Sequence, residues 1–187
     1  MSHQSVFFVG GVRSGKSALA LRWGEACATR CLYVATACAD DAEMTARIAR
    51  HKAQRGEKWE CVEAPFDPVG GIQHRFSNGN GNPGVILLDC VSLWIANLLG
   101  QEMKEKAILE RVTSLKALIS ACKTPFGVVS LEAGLGMVPI SSIGRLYQDV
   151  LGLANQMLAQ SCDTVIHVSC GLPVPLKGRI PEELCQD

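Results

Sequence analysis

No sign of charge predominates in this chain: 18 Lys and Arg balance 18 Asp and Glu, so the formal net charge is zero. Without a basic field there is no long-range attraction for nucleic acid or an anionic membrane, and a small molecule is the expected partner. Long apolar runs are missing as well. The longest, residues 85–99, is interrupted by Asp89, Ser92 and Asn97 and falls short of the ~20 residues that span a bilayer; it reads as a buried strand followed by a helix. The N-terminus lacks the basic flank and cleavage site of a signal peptide, since its apolar stretch at residues 6–9 is too short, and a cytoplasmic location is expected. No C-x-x-C pair occurs. The nine cysteines are odd in number and scattered, which favours reduced thiols, and Cys27 with Cys31 has no His or Cys partners to complete a zinc site. No internal repeat is present.

What the chain does carry is one sharp motif. Gly10-Gly11-Val12-Arg13-Ser14-Gly15-Lys16-Ser17 matches G-x-x-x-x-G-K-[ST] in full, directly after the apolar run Val6-Phe7-Phe8-Val9. Glycines there let successive N–H groups point at phosphate oxygens, Lys16 reaches the β- and γ-phosphates, and Ser17 offers a hydroxyl to Mg²⁺. Residues 18–27 are rich in Ala, Leu and Glu and suit the helix whose N-terminus adds to anion binding. ATP or GTP with Mg²⁺ is the expected ligand, as substrate, and no tightly bound organic cofactor is expected.

With 187 residues and 48% apolar content, one domain over residues 1–187 is sufficient. Apolar β-type runs recur at residues 6–9, 31–35, 85–88, 127–130 and 164–169, and a short strand fits 58–63. Helix-like segments fall at 16–28, 40–54, 92–99, 104–122 and 141–161. Continuous apolar strands separated by helices imply an α/β fold: a mostly parallel sheet with helices on both faces, of the P-loop NTPase (RecA-like) kind. Residues 77–84 have turn chemistry throughout and form a surface loop. Residues 178–187, with Pro181 and several acids, are expected to be an exposed C-terminal tail.

Two further places carry chemistry. Val85-Ile86-Leu87-Leu88-Asp89 resembles the strand that ends in the acidic residue of P-loop nucleotidases, so Asp89 is a candidate Mg²⁺ ligand beside Ser17; an Asp capping the next helix is the alternative. Between residues 40 and 55, acids at the start and bases at the end suit the two poles of a helix. His51 lies in the basic end, with Arg47 and Arg55 four residues to either side and Arg50 and Lys52 adjacent. Such cations favour the neutral imidazole and attract a triphosphate, so attack on phosphorus is chemically reasonable. A solvated surface histidine has the same local pattern, and the residues alone leave both readings open.

Taken together, the phosphate loop, Tyr33-Val34-Ala35-Thr36-Ala37 and the run Arg47-Ile48-x-x-His51-Lys52-x-x-Arg55-x-x-x-Trp59-x-x-x-Glu63 resemble one family, the bifunctional adenosylcobinamide kinase/adenosylcobinamide-phosphate guanylyltransferases. The likeness continues through Leu88-Asp89-Cys90-Val91-Ser92-Leu93-Trp94-x-x-Asn97-Leu98-Leu99, Glu132-x-Gly134-x-Gly136-Met137-Val138-Pro139, Arg145-x-x-x-Asp149, Asn155-Gln156 and Ser169-x-Gly171-x-Pro173. The resemblance implies two reactions of cobalamin nucleotide-loop assembly. Adenosylcobinamide is phosphorylated by ATP or GTP; GMP then passes from GTP to a histidine and on to adenosylcobinamide phosphate, giving adenosyl-GDP-cobinamide. It implies that His51 is the covalent nucleophile and that Lys16, Ser17 and Mg²⁺ stabilise departing pyrophosphate. It further implies nucleotide contacts from Ala35, Thr36, Ala37, Lys52, Ala53, Gln54, Arg55 and Glu63, and assembly as a homotrimer. The helix at 92–99 is one source for an apolar interface, with ordinary core packing as the alternative. The residues by themselves leave open a P-loop kinase for another small alcohol, or a nucleotide-binding protein without turnover.

Three positions depart from the family pattern. Leu131 stands where Asn is usual, Arg50 stands where some relatives carry a second histidine, and residues 178–187 extend beyond the last familiar motif.

Overall fold

The computed structural model describes residues 4–39, 42–53, 55–78 and 81–184, with the side chains of Glu43 and Arg47 outside that description. Strands β1 (Ser5–Gly10), β2 (Cys31–Ala35), β3 (Trp59–Glu63), β4 (Val85–Asp89), β5 (Phe126–Leu131), β6 (Thr164–Ser169) and β7 (Leu172–Lys177) form one sheet in the order β3-β2-β4-β5-β1-β6-β7. The first six are mutually parallel, and β7 pairs antiparallel with β6. Helices α1 (Lys16–Cys27), α2 (Ala42–Ala53), α3 (Pro68–Ser77), α4 (Val91–Gly100), α5 (Glu105–Ala121) and α6 (Ser142–Ser161) connect the parallel strands, with α4 and α5 both between β4 and β5. The expected α/β architecture with a mostly parallel sheet is thus present. In a parallel sheet all C-terminal strand ends collect at one edge, where the loops after β1, β2 and β4 can meet.

Each central strand is buried on both sides because its alternate residues enter different cores. On one face Val6 and Phe8 of β1, Tyr33 of β2, Leu87 of β4 and Ile166 of β6 pack with Leu19, Ala20 and Trp23 of α1. On the other, Phe7, Leu32, Val34, Leu88, Phe126 and Val128 meet Ile72 of α3, Trp94 and Ile95 of α4, Val112 and Leu115 of α5, and Leu151 and Leu158 of α6. Helix α4 supplies Val91, Trp94, Ile95, Leu98 and Leu99 to this core. It is core packing, and the exposed large apolar side chains lie elsewhere, the most exposed of them at Leu135, Met137, Val138 and Ile140, with others such as Leu172 and Leu176 on β7.

Two elements have no counterpart in the expectations from sequence. Helix α3 contains Gly70 and Gly71, which lower helix propensity, but Asp67 caps it by accepting from the Gly70 N–H at 3.0 Å and Pro68 occupies its first turn. Strand β7 reads Leu-Pro-Val-Pro-Leu-Lys, and prolines argue against a strand except at a sheet edge, which is where it lies. Lys177 at its end donates to the carbonyls of Ala159, Gln160 and Cys162, satisfying the C-terminus of α6. The C-terminal segment also differs from the expected exposed tail. Residues 182–184 make one turn of 3-10 helix, and Pro181 and Leu184 are buried, Leu184 in the core beside α1. Residues 185–187 lie outside the description.

Trp23 is accommodated by a missing side chain. The ring of Trp23 is fully buried, tilted against Phe8 with centroids 5.8 Å apart, and a Cβ at Gly127 would stand 2.7 Å from it and 2.8 Å from Leu87. Substituting Gly127→Ala is expected to destabilise the protein by ~1–3 kcal/mol through overpacking. A lowered urea midpoint at unchanged slope is the expected result.

Candidate active site

The loop between β1 and α1 is held by backbone close approach. Gly15 takes a left-handed conformation, φ 94°, and a Cβ there would meet Gly171 Cα at 3.1 Å, so only glycine fits comfortably. The Gly171 N–H donates to Ser14 O at 2.8 Å. Gly171 belongs to the two-residue β6–β7 turn, in which Cys170 and Gly171 both have positive φ, 53° and 82°, as a tight hairpin requires. Helix α1 then begins with no side-chain cap and no acid in its first turn. Its first N–H groups and its dipole are therefore directed toward an incoming anion. Lys16 is buried and its Nζ donates to Gly11 O at 3.0 Å, lying across the loop.

The ends of β2 and β4 form the next wall. Thr36 is completely buried. Its hydroxyl donates to Cys90 O at 2.7 Å and accepts from Cys90 N at 2.8 Å, its N–H donates to Asp89 O, and its carbonyl accepts from Asn97 Nδ2. Every polar group of Thr36 is committed to this clasp, and its side chain sits behind the wall, whereas Ala35 and Ala37 line the cleft. Of the expected Ala35, Thr36 and Ala37, the structure places Ala35 and Ala37 on the cleft wall and Thr36 in the clasp behind it. Asp89 ends β4, and its Oδ2 accepts from the Tyr33 hydroxyl at 2.9 Å. Cys90 is the N-cap of α4 and no side chain caps that helix, so Asp89 does not serve as a cap. Burial first, then the Asp89 charge, drives the Tyr33 phenol well above its ordinary range, keeping it a neutral donor.

Helix α2 and strand β3 close the opposite side. His51 lines the cleft with Met44 and Ile48 from the same helix, and with Lys52, Arg55 and Glu63. Lys52 Nζ donates to Glu63 Oε1 at 2.7 Å; this hydrogen bond and the ammonium charge hold the Glu63 carboxyl below its ordinary range. Both partners are largely exposed, so the pair is worth little to stability. The Arg55 guanidinium lies over the face of the Tyr33 ring, 3.9 Å from its centroid. Ala53 is exposed and does not line the cleft. Gln54 and the Asp40-Asp41 start expected for this helix lie outside the described residues.

The result is a cleft of about 270 Å³ that gathers Val12, Lys16 and Ser17 of the phosphate loop with Ala35, Ala37, His51, Lys52, Arg55, Glu63 and Asp89. Gly10, Gly11, Arg13, Ser14 and Gly15 shape the loop without lining the cleft. Tyr33, Cys90, Ser92 and Leu93, which the sequence motifs contained without an assigned role, also line it, as does Tyr147, which no motif marked. Cys90 Sγ and Ser92 Oγ are 2.9 Å apart. Burial pushes the Cys90 thiol up to about 11 and the Tyr147 phenol up to about 12, so both are neutral at physiological pH. Leu131, at the departure from the family pattern, lines the cleft as well. From there residues 132–140 run over the surface, fastened by Gln148 Nε2 to Ala133 O and by Arg145 Nη1 to Pro139 O and Ile140 O. Leu135, Met137 and Ile140 on this loop are at least 84% exposed.

Ser17 and Asp89 fit a magnesium ion. Both offer hard oxygen atoms to one cleft, Ser17 from the phosphate loop and Asp89 from the end of β4, and among the described residues no cluster of three or more His, Cys, Asp or Glu forms a protein cage. That is the donor set magnesium favours, with few protein ligands and the remainder from phosphates and water.

Comparison with known proteins bears on family and fold. A family model described as cobinamide kinase / cobinamide phosphate guanyltransferase matches residues 6–176. The bifunctional adenosylcobalamin biosynthesis protein CobP of Pseudomonas aeruginosa is 37% identical over 170 residues, covering 91% of this chain and 95% of the relative. The corresponding CobU protein of Escherichia coli is 34% identical, covering 92% and 99%. Among solved structures, the RadB recombinase superposes with a TM-score of 0.50 at 15% identity over 89% of this chain and 74% of that one. A type III secretion ATPase gives 0.53 at 13% identity over 98% and 61%. These two likenesses show a RecA-like P-loop fold.

The clasp predicts a separation of stability from binding. Thr36→Val preserves shape but strands the Cys90 N–H and C=O, with an expected loss of ~1–3 kcal/mol. Nucleotide affinity of the folded variant, measured by titration calorimetry, should stay within a few-fold of the wild type; a selective collapse of affinity at unchanged stability would reverse the assignment.

Proposed function

The chain belongs to the cobinamide kinase / cobinamide phosphate guanyltransferase family, and we propose that it carries out both reactions on adenosylcobinamide with one histidine, His51, as the guanylyl acceptor. The observation that carries this reading is that His51 lines the same cleft as Lys16, Ser17 and Asp89. A nucleophile and a phosphate-binding loop facing one cavity are what transfer at phosphorus requires.

In the kinase reaction the aminopropanol hydroxyl of adenosylcobinamide attacks the γ-phosphorus of ATP or GTP, and the nucleoside diphosphate leaves. Lys16 and the first N–H groups of α1 hold the transferring phosphates. In the second reaction a nitrogen of the neutral His51 ring attacks the α-phosphorus of GTP, forming a P–N bond as the bond to pyrophosphate breaks. An oxygen of adenosylcobinamide phosphate then attacks the same phosphorus, and imidazole departs to give adenosyl-GDP-cobinamide. Imidazole suits this role because it is a competent nucleophile and a good leaving group from phosphorus. Magnesium, held through Ser17 and Asp89, would neutralise charge on the phosphate oxygens. Lys52 and Arg55 supply positive charge beside His51, Ala35 and Ala37 form a smooth wall for the nucleoside, and Glu63 is a hydrogen-bond acceptor for guanine or ribose.

A cytoplasmic homotrimer completes the reading. Among the described residues no helix is long and apolar enough to cross a membrane, and the exposed Leu135, Met137, Val138 and Ile140 give an apolar surface of the kind that subunits cover.

Incubation with GTP labelled at the α-phosphate should leave acid-labile, alkali-stable label on the protein. His51→Ala is expected to remove the label and retain kinase turnover, whereas Lys16→Ala should reduce both activities by at least ~100-fold, the scale of losing one oxyanion-stabilising group. An unlabelled wild type that still binds GTP would sink the guanylyl-histidine, and loss of kinase turnover in folded His51→Ala would overturn the restriction of His51 to guanylyl transfer.

A further inference from the structure

Tyr33 stands at a junction that neither half of the proposed chemistry accounts for. It is the middle residue of β2, its side chain enters the core facing α1, and only 4% of the residue is exposed. A tyrosine buried this deeply needs a partner for its hydroxyl. That partner is Asp89 Oδ2, at 2.9 Å. The opposite demand is made on the ring face, which carries the Arg55 guanidinium 3.9 Å from its centroid. Trp59 of β3 abuts the ring in a T-shaped arrangement, centroids 6.0 Å apart, which fixes the plane that Arg55 covers. Arg55 follows α2 by two residues and lies four beyond His51.

We propose, resting on the reading above, that Tyr33 is a positioning residue for both reactions: its hydroxyl orients the Asp89 carboxylate, and its ring seats Arg55 and thereby the His51 end of α2 over the cleft. The hydroxyl donates to one carboxylate oxygen, restricting rotation of Asp89 and setting the orientation it presents beside Ser17. The ring face attracts a planar cation better than an aliphatic surface does, because of its negative π-cloud. The half-buried guanidinium, stacked on a ring wedged by Trp59 and donating from Nη1 to Cys61 Sγ at 3.4 Å, has a preferred place, and Arg55 is anchored there. Lys52, paired with Glu63 at 2.7 Å, supplies a second tie one residue after His51; that pair is largely exposed and worth little, whereas Arg55 is half-buried against the ring.

The two parts of Tyr33 can be removed separately. Tyr33→Phe deletes the hydroxyl and keeps the stacking surface. The Mg²⁺ concentration giving half-maximal binding of a fluorescent GTP analogue is then expected to rise roughly 2- to 10-fold, the worth of one hydrogen bond. Amide hydrogen exchange across residues 42–53 should stay at the wild-type rate. Arg55→Leu leaves the ring and hydroxyl in place, and Tyr33→Leu removes both. Each is expected to speed exchange across residues 42–53 by roughly 3- to 30-fold, the range of a cation–π contact, and to slow labelling of His51 by α-labelled GTP at saturating Mg²⁺. Only Tyr33→Leu should also show the Mg²⁺ shift. Because Tyr33→Leu touches the core, the Arg55 variant carries the anchoring arm if that protein fails to fold.

An unchanged Mg²⁺ requirement in Tyr33→Phe overturns the role of the hydroxyl. Wild-type exchange across residues 42–53 in Arg55→Leu overturns the role of the ring. Failure of the wild type to take label would strike the guanylyl-transfer reading alone, since the Mg²⁺ titration and the exchange measurement do not depend on it.

Discussion

The cleft depends on the reciprocal hydrogen bonds between Thr36 and Cys90. Where β2 and β4 end side by side, the Thr36 hydroxyl donates to the Cys90 carbonyl and accepts from the Cys90 N–H, and the Thr36 N–H continues the ladder to Asp89 O. Asn97 of α4 ties the same carbonyl of Thr36 to that of Pro65. Buried hydrogen bonds of this kind have no competing water, so their geometry is well defined. They fix Asp89 and Cys90 on one strand end against Ala35 and Ala37 on the other. Removing them would strand the Cys90 N–H and C=O and lower the stability of the strand ends and the start of α4 together.

Around that clasp the polar groups divide into holders and actors. Tyr33 holds Asp89, Gly171 holds the phosphate loop, and Arg145 and Gln148 hold the surface loop that leads away from Leu131. Asn155, nearly buried, accepts from Ser130 and donates to Leu131 O, fastening α6 behind the same region. Lys16, Ser17 and His51 remain turned to the cleft. A rigid surround of this kind lowers the reorganisation needed when charge moves between phosphate groups.

Much of the fold was legible in the residues because it rests on local patterns. Continuous apolar strands announced a parallel sheet covered on both faces, and the match at Gly10 to Ser17 marked the loop after β1. Helix α3 escaped because Gly70 and Gly71 mask a helix whose start is set by Asp67 and Pro68. Strand β7 escaped because prolines are tolerated only at an edge, and edge position is a property of the whole sheet. The burial of Leu184 against α1 was equally invisible, since an acidic segment with a proline looks solvated until a helix is found beneath it.

The site followed the same division. The sequence by itself determined the phosphate loop, the acidic strand end and the His51 segment, because each is a short motif with its own chemistry, and their combination was specific enough to identify a family. Tertiary structure alone decided that these motifs face one cleft. It also tied Thr36 to Cys90 and set Tyr33 between Asp89 and Arg55. Those roles arise from contacts between residues 54 and 56 positions apart. Such partners are set by strand order and register, which bring distant backbone ends together and leave no trace in the periodicity of either segment.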